Sequence, residues 1–352
     1  MNLPALPRAL RAPDAADAYD LMRTLCEEGV ADGLPVVSPT SARVDEMLRG
    51  HAGGRTLGAL PPLYRDLTVE DVAVCAVLAG CGPEHLPALL AAVDAVQQPE
   101  VNLLGVATTT GTTAIGMILH GPYATRVGAN GGTNCMGPGN VTNATLGRAL
   151  ALVLRAGGMI PGTLDMSTMG QPAKYGLCFA EAEHPTFPSY LGSIGLPAGS
   201  SAVSVFAASG TLEVVDSHSD TAEGLLDTLA AALPVPGTVH AEGSYLGSGR
   251  PLVVIPPEWA DRLAKDGVSR AEACARLSEA SVSAIDRLPA SITASFDEAV
   301  RANGAVRTAR DAESIALVVA GGIGSKATYI PTWHGGTAIA TAGILYDQGS
   351  ES

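Results

Sequence analysis

Short apolar runs alternate with helix-length segments along most of this chain, and that alternation constrains its fold more than any other feature. "TAIGMILHG", "SAVSVFAAS", the start of "RPLVVIPPEWADRLAKDG" and both ends of "SIALVVAGGIGSKATYIPTW" read as strands. Helix signals recur between them. Asp17 to Gly29 ends on glycine, "SARVDEMLRG" begins on a Ser cap, and Val69 to Ala79 is closed by Gly80. Pro83 to Val96 opens on Pro-Glu, and "DTAEGLLDTLAAAL" is amphipathic. This pattern predicts an α/β protein with mixed sheets and flanking helices.

A strictly parallel sheet is not expected, because two strand pairs lie close enough in sequence to be hairpins. These are "VNLLGVATTT" with "TAIGMILHG", and "SAVSVFAAS" with "TLEVVDSHS". A strand with a hairpin-like return recurs near 101, 202 and 315, a hint of internal repetition. The proline-rich stretch at 185–200 suggests a division into lobes. The expected organisation is a helical and extended arm over 1–60, an α/β lobe over 61–190 and a second α/β lobe over 191–352.

Composition narrows the function classes. A net charge of −14 would be repelled by a nucleic-acid backbone or an anionic membrane, so neither is expected as a partner. A small-molecule substrate fits better, with room for a homo-oligomer. No segment reaches the ~18 apolar residues that a membrane span needs, and the first twenty residues lack a secretory apolar core. The six cysteines show no CxxC spacing and read as reduced thiols, so the expected compartment is the cytoplasm.

The stretch from Gly128 to Gly158, "GANGGTNCMGPGNVTNATLGRALALVLRAGG", sets a permissive loop directly before a regular helix. Asn140 is a good N-cap for that helix. Free amides at a helix start attract anions, and Gly131, Gly132, Gly137 and Gly139 would let backbone N–H groups approach a carboxylate or phosphate. Asn134 and Asn143 could orient an amide or carboxylate. Cys135 lies where the helix dipole could lower its pKa and make it a nucleophile. The plainer alternative is a structural loop holding an inert thiol.

Other motifs also carry chemistry. Read as a strand, "KYGLCFAEAEHP" puts Lys174 on one face and Glu181 on the other, with Glu183 beside Glu181 as an acid–base pair or simply as a solvated strand end. "DSHSD" places Asp216, His218 and Asp220 on one face, which suits a carboxylate-oriented histidine or a metal ligand. "VVAGGIGSKATYIPTWHGG" offers Ser325 and Lys326 as a polarising pair and His334 as a pocket group, or a structural turn. It lacks GxxxxGK[ST], so nucleotide hydrolysis is not expected.

Several phrases resemble a bacterial family of UGSC-type (seleno)proteins: "DGLPVVSPT…RVDEML", "VLAGCGPEHLPALLAAV", "GPGNVTNATLGRALALVLR", "KYGLCFAEAE", "IPPEWA" and "LVVAGGIGSKATYIPTW". They run from about Asp32 to Trp333. The resemblance implies a shared fold and pocket, not an activity. This chain departs from the pattern twice. The short family motif falls on Ile323-Gly324-Ser325-Lys326, which has neither thiol nor selenol. Pro257-Glu258-Trp259-Ala260 stands where relatives carry a histidine.

Together these features predict an enzyme that cleaves a small polar, anionic molecule by acid–base or nucleophilic hydrolysis or lyase chemistry, with no cofactor or metal. His218 with Asp216, Cys135, Ser325 and Lys326 are the candidate catalytic groups. Gly131, Gly132, Asn134, Asn140, Asn143, Lys174, Glu181 and His334 are the candidate binding groups. The alternatives are a ligand-binding or accessory subunit of a redox system, and a metal-dependent enzyme acting through His218.

Overall fold

The computed structural model describes residues 17–235, 250–333 and 335–346. The chain opens with helices α1 (Ala18–Glu27) and α2 (Ser41–Leu48) and a hairpin of β1 (Thr56–Leu60) and β2 (Arg65–Thr68). A capping box between Thr68 and Asp71 starts α3 (Val69–Ala79), and Gly80 ends it at φ +90°. Next come α4 (Leu86–Val96), α5 (Leu103–Thr108), β3 (Ala114–His120), α6 (Pro122–Arg126) and α7 (Val141–Ala156). Nearly every residue of α3 and α4 is buried, the expected place for helices that are apolar all round. Leu25, Val44 and Met47, from the expected N-terminal arm, share one apolar core with α3, α4 and α7. Arg148 of α7 fastens the same arm by donating to both carboxylate oxygens of Asp32 at 2.8 Å.

The remaining elements are β4 (Cys178–Ala180), α8 (Tyr190–Ser193), β5 (Ala202–Ala208), β6 (Leu212–Val215), α9 (Ala222–Ala232), β7 (Leu252–Ile255), α10 (Pro257–Lys265) and α11 (Arg270–Ala280). A minor ribbon pairs β8 (Val282–Ala284) with β9 (Ala305–Arg307), and β10 (Ala316–Val319), β11 (Lys326–Ile330) and β12 (Ala340–Gly343) follow. Two four-stranded mixed sheets result, in the orders β12-β5-β3-β4 and β10-β7-β11-β6. Among the described residues no helix is long and apolar enough to cross a membrane.

The two sheets pack face to face. Ile118, Phe179 and Phe206 of the first share a cluster with Leu252, Val254, Val318 and Ile330 of the second. Alternate residues point the other way, so Met117 and Leu119 meet α3, α4 and α7 while Val253 and Ile255 meet α9, α10 and α11. The layers therefore run helix, sheet, sheet, helix.

The sheets are also versions of each other. In the first, Ile118 pairs with Phe179 in parallel and Ser204 in antiparallel, and Ser204 pairs onward with Thr341. In the second, Val254 pairs with Val318 in parallel and Thr328 in antiparallel, and Thr328 pairs onward with Glu213. The chain thus contains the same six-step path twice, β3-α6-α7-β4-β5-β6 and then β7-α10-α11-β10-β11-β12. In each half the last strand crosses over to edge the other half's sheet. Ala208 and Thr332, at equivalent positions in the two halves, form an isolated antiparallel bridge with each other. A residue bridged to its own counterpart marks an approximate two-fold axis.

Three expectations need correction. "VNLLGVATTT" is not a strand: Leu103–Thr108 is the short helix α5, capped by Asn102 and burying Leu103, Val106 and Ala107 at helical spacing. A short apolar run does not reveal its own period. "SAVSVFAAS" and "TLEVVDSHS" are not paired, because β5 and β6 belong to different sheets. "KYGLCFAEAEHP" is extended only at Cys178–Ala180. Residues Pro172–Tyr175 form a helical turn, and Gly176 follows at φ +141°, outside the strand region.

Candidate functional site

Burial inside the double sheet is largely apolar, and one connected polar cluster interrupts it, centred on the end of β3. His120 follows Ile118 on the inter-sheet face and is 0% exposed. Its Nδ1 lies 2.7 Å from Oε2 of Glu181, just past the end of β4. A carboxylate only accepts, so Nδ1 carries the proton. In the neutral imidazole, Nε2 then accepts from the Ser204 hydroxyl at 2.9 Å, and Ser204 in turn lies 2.7 Å from Thr341 Oγ1. The order Ser–His–Glu is that of a hydrolytic triad. Ser204, however, is 0% exposed in the interior of β5, so no substrate reaches its oxygen.

What the relay does is fix Glu181. The other carboxylate oxygen, Oε1, accepts the Tyr190 backbone N–H at 2.6 Å and lies 3.8 Å from Nη2 of Arg270. The Tyr190 ring stacks on His120 with centroids 5.8 Å apart. Arg270 is the first residue of α11, is only 7% exposed, and lies over the Phe187 ring with Cζ 4.7 Å from the centroid. Its Nη2 also donates to the Pro188 carbonyl. Nε and Nη1 are buried and have no hydrogen-bond partner among the described residues. Leaving a buried donor unpaired typically costs about 1–3 kcal/mol, and more for a charged group.

Arg270 and Tyr190 line a cavity of about 460 Å³. Its mouth carries the exposed Arg250 and Glu313, and its wall includes Cys274 and Ser314. Burial pushes the Tyr190 phenol up to about 12, an effect that the nearby guanidinium groups of Arg250 and Arg270 only partly oppose. Burial likewise lifts the Cys274 thiol to about 11. Both groups therefore hold their protons at neutral pH.

The residues singled out in the sequence are distributed as follows. The segments around 131, 216 and 321–325 do meet: Gly321 N–H donates to the Gly131 carbonyl at 2.8 Å, and Asp216 N–H to the Ser325 carbonyl at 3.2 Å. The amides of the glycine loop, though, are largely spent on the loop itself. Gly132 N–H goes to Asn130, Asn143 N–H to the capping Asn140, and Cys135 N–H to the Gly132 carbonyl. Asn143 ties the loop to the helix by donating to the carbonyls of Asn130 and Cys135, and Asn134 donates to the Pro138 carbonyl. Gly131 closely approaches backbone, and a Cβ there would stand 2.6 Å from the Ala180 oxygen. Gly132 has room for one. Cys135 is 6% exposed, and burial raises its pKa, outweighing the N–H groups of Cys135, Met136 and Gly321 that favour a thiolate.

Asp216 does not orient the His218 ring. Its carboxylate takes the hydroxyls of Ser219 and Thr228 and the backbone N–H groups of Ser219 and His218, which hold it well below the usual carboxylate range. The His218 side chain is exposed, as is Lys326. Lys174 is paired with Asp165 at 2.5 Å beside a separate cavity of about 70 Å³, near the far end of α7. Glu183 is exposed and does not share the buried position of Glu181. His334 lies outside the described residues. Among the described residues no three His, Cys, Asp or Glu side chains stand together as a metal site.

Of the predicted groups only Glu181 belongs to the Arg270 cluster. His120, Tyr190, Ser204, Arg250 and Arg270 were missed. One signal was available: an arginine at the first position of a helix opposes the helix dipole and needs a local reason to be there. No family model matches this chain, and no curated protein and no solved structure is similar to it.

Proposed function

We propose that the protein is an enzyme that cleaves a small polar, anionic molecule by acid–base hydrolysis or lyase-type elimination in the Arg270 cavity. The observation that carries this reading is Arg270, a cation on the wall of a largely apolar cavity of ligand size. An anionic substrate would be drawn to that charge. Tyr190, protonated at neutral pH, is placed to give a proton to a leaving group or to steady developing negative charge. Glu181 and His120 are positioning residues, because they fix Tyr190 and Arg270 without reaching the cavity themselves.

The test is a turnover screen of small carboxylate-bearing esters, amides and β-substituted acids, read by NMR for product formation. A substrate found this way should lose about 10²–10⁴ in kcat with Tyr190→Phe, while the variant keeps its circular dichroism spectrum and melting temperature near those of wild type. Saturable anion binding without turnover anywhere in the panel would overturn the enzyme reading and leave a binding protein.

A further inference from the structure

The cavity wall says more about its occupant than the charge alone. Inward from the exposed Arg250 and Glu313, much of the lining is apolar, including Cys274, Ile315, Leu317 and Ile339. Arg270 supplies the one buried cation on this wall. A free phosphate or sulfate would occupy a small part of about 460 Å³ and would leave the apolar wall to water. It would also bring more charge than a single buried guanidinium, already shared with Glu181, can neutralise.

We infer that the ligand is a monocarboxylic acid with an apolar body, its carboxylate drawn to the Arg270 side of the cavity and its hydrocarbon part against the wall formed by α11 and β10. This rests on the proposal that the cavity is the substrate site, and it names the substrate class. Two features make Arg270 the anchor in preference to Arg250. Arg250 is exposed at the mouth, and its Nη1 reaches the Glu313 carbonyl only at 3.5 Å. Arg270 is held in place by the Phe187 ring, the Pro188 carbonyl and Glu181, so its guanidinium loses little freedom on binding. Glu313, exposed at the mouth, would disfavour a second negative charge at the outer end of the ligand.

The experiment is calorimetric and melting titration of the full chain with benzoate, hexanoate, acetate, inorganic phosphate and the uncharged hexanamide. Benzoate and hexanoate should bind with Kd at least tenfold below that of acetate, and hexanamide at least tenfold more weakly than hexanoate. Arg270→Met should weaken hexanoate at least tenfold. Because that substitution also disturbs Glu181, a second variant guards against simple misfolding. Ala271→Trp, at an exposed position on the cavity wall, should block hexanoate and benzoate while the unliganded protein melts near the wild-type temperature. Binding of phosphate that requires Arg270, with no binding of hexanoate or benzoate, would overturn the carboxylate inference and leave the anion cavity standing. Equal affinity for hexanoate and hexanamide would remove Arg270 as the anchor. Absence of binding by every anion would overturn both this inference and the proposed site, whereas tight hexanoate binding without turnover in the screen would overturn only the enzyme reading.

Discussion

The two halves of the chain follow the same path and differ at the place where each meets the other. At the end of the first half's central strands stand His120 and Glu181, and at the same steps in the second half stand Pro256 and Ala320. The backbone is unchanged by the difference: Glu181 N–H donates to the Leu119 carbonyl at 2.9 Å, and Ala320 N–H to the Ile255 carbonyl at 3.0 Å. Among the described residues, the second half forms its sheet without a buried histidine–carboxylate pair. The pair is therefore not a requirement of the fold, and its cost in desolvation points to a purpose beyond packing. The helix entries differ in the same sense. α10 reaches α11 through a tight turn with a Ser269 capping box, and α11 opens on the buried Arg270. The link from α6 to α7 is the long glycine and asparagine loop, and the matching first helical position is the exposed Val141. One junction has become a charged cavity and the other a self-satisfied backbone knot.

The strongest way to break this comparison is to remove the acceptor. Glu181→Ala strands the His120 Nδ1–H, the Tyr190 N–H and Arg270 together, and should cost about 3–5 kcal/mol of stability in urea unfolding. A loss below about 1 kcal/mol would mean that the cluster is hydrated and not the buried core described. At the other junction the expected effects are steric and smaller. Gly131→Ala should cost about 1–3 kcal/mol, because its Cβ meets a backbone oxygen that cannot give way, while Gly132→Ala, with space for a methyl, should stay within about 0.5 kcal/mol. Equal effects at the two glycines would show that the loop is not packed as found.

A third prediction concerns pH. The Asp216 carboxylate is held below its unfolded value, so its contribution is present above pH about 4 and is lost as acid protonates it. Asp216→Asn should therefore melt below wild type at neutral pH, and the gap should close as the pH falls below about 4. His218→Ala, at an exposed side chain, should change stability at neutral pH by less than about 0.5 kcal/mol. A gap that persists at low pH would assign Asp216 a packing role in place of an ionic one.

The α/β class and most helices were legible because their signals are local: the Thr68 capping box, the Asn140 cap and the glycine at position 80 each act within a few residues. The repeat was visible only as a faint recurrence of strand and return, since its strands match in pairing geometry and hardly in residue type. The crossing of β6 and β12 between sheets left no local mark, and so β5 and β6 looked like a hairpin. The buried cluster was hidden for a related reason. His120, Glu181, Tyr190, Ser204 and Arg270 come from five separate segments of the chain, and only tertiary packing reveals that they share one volume. The "DSHSD" and "GSK" segments looked chemical because their polar residues are adjacent in sequence, but Asp216 spends its carboxylate on starting the turn into α9.

The crossed edge strands also govern how the molecule must be made. While the chain is being synthesised, β5 emerges long before β12, the partner that covers its outer edge, and the first sheet waits with an open row of N–H and C=O groups. Neither half can be completed before the other is present, so folding closes in a single late step that joins distant parts of the chain. Cutting the chain between β6 and β7 would then give two fragments, each missing one edge strand and carrying the other's, which should be insoluble apart and productive only when mixed before refolding.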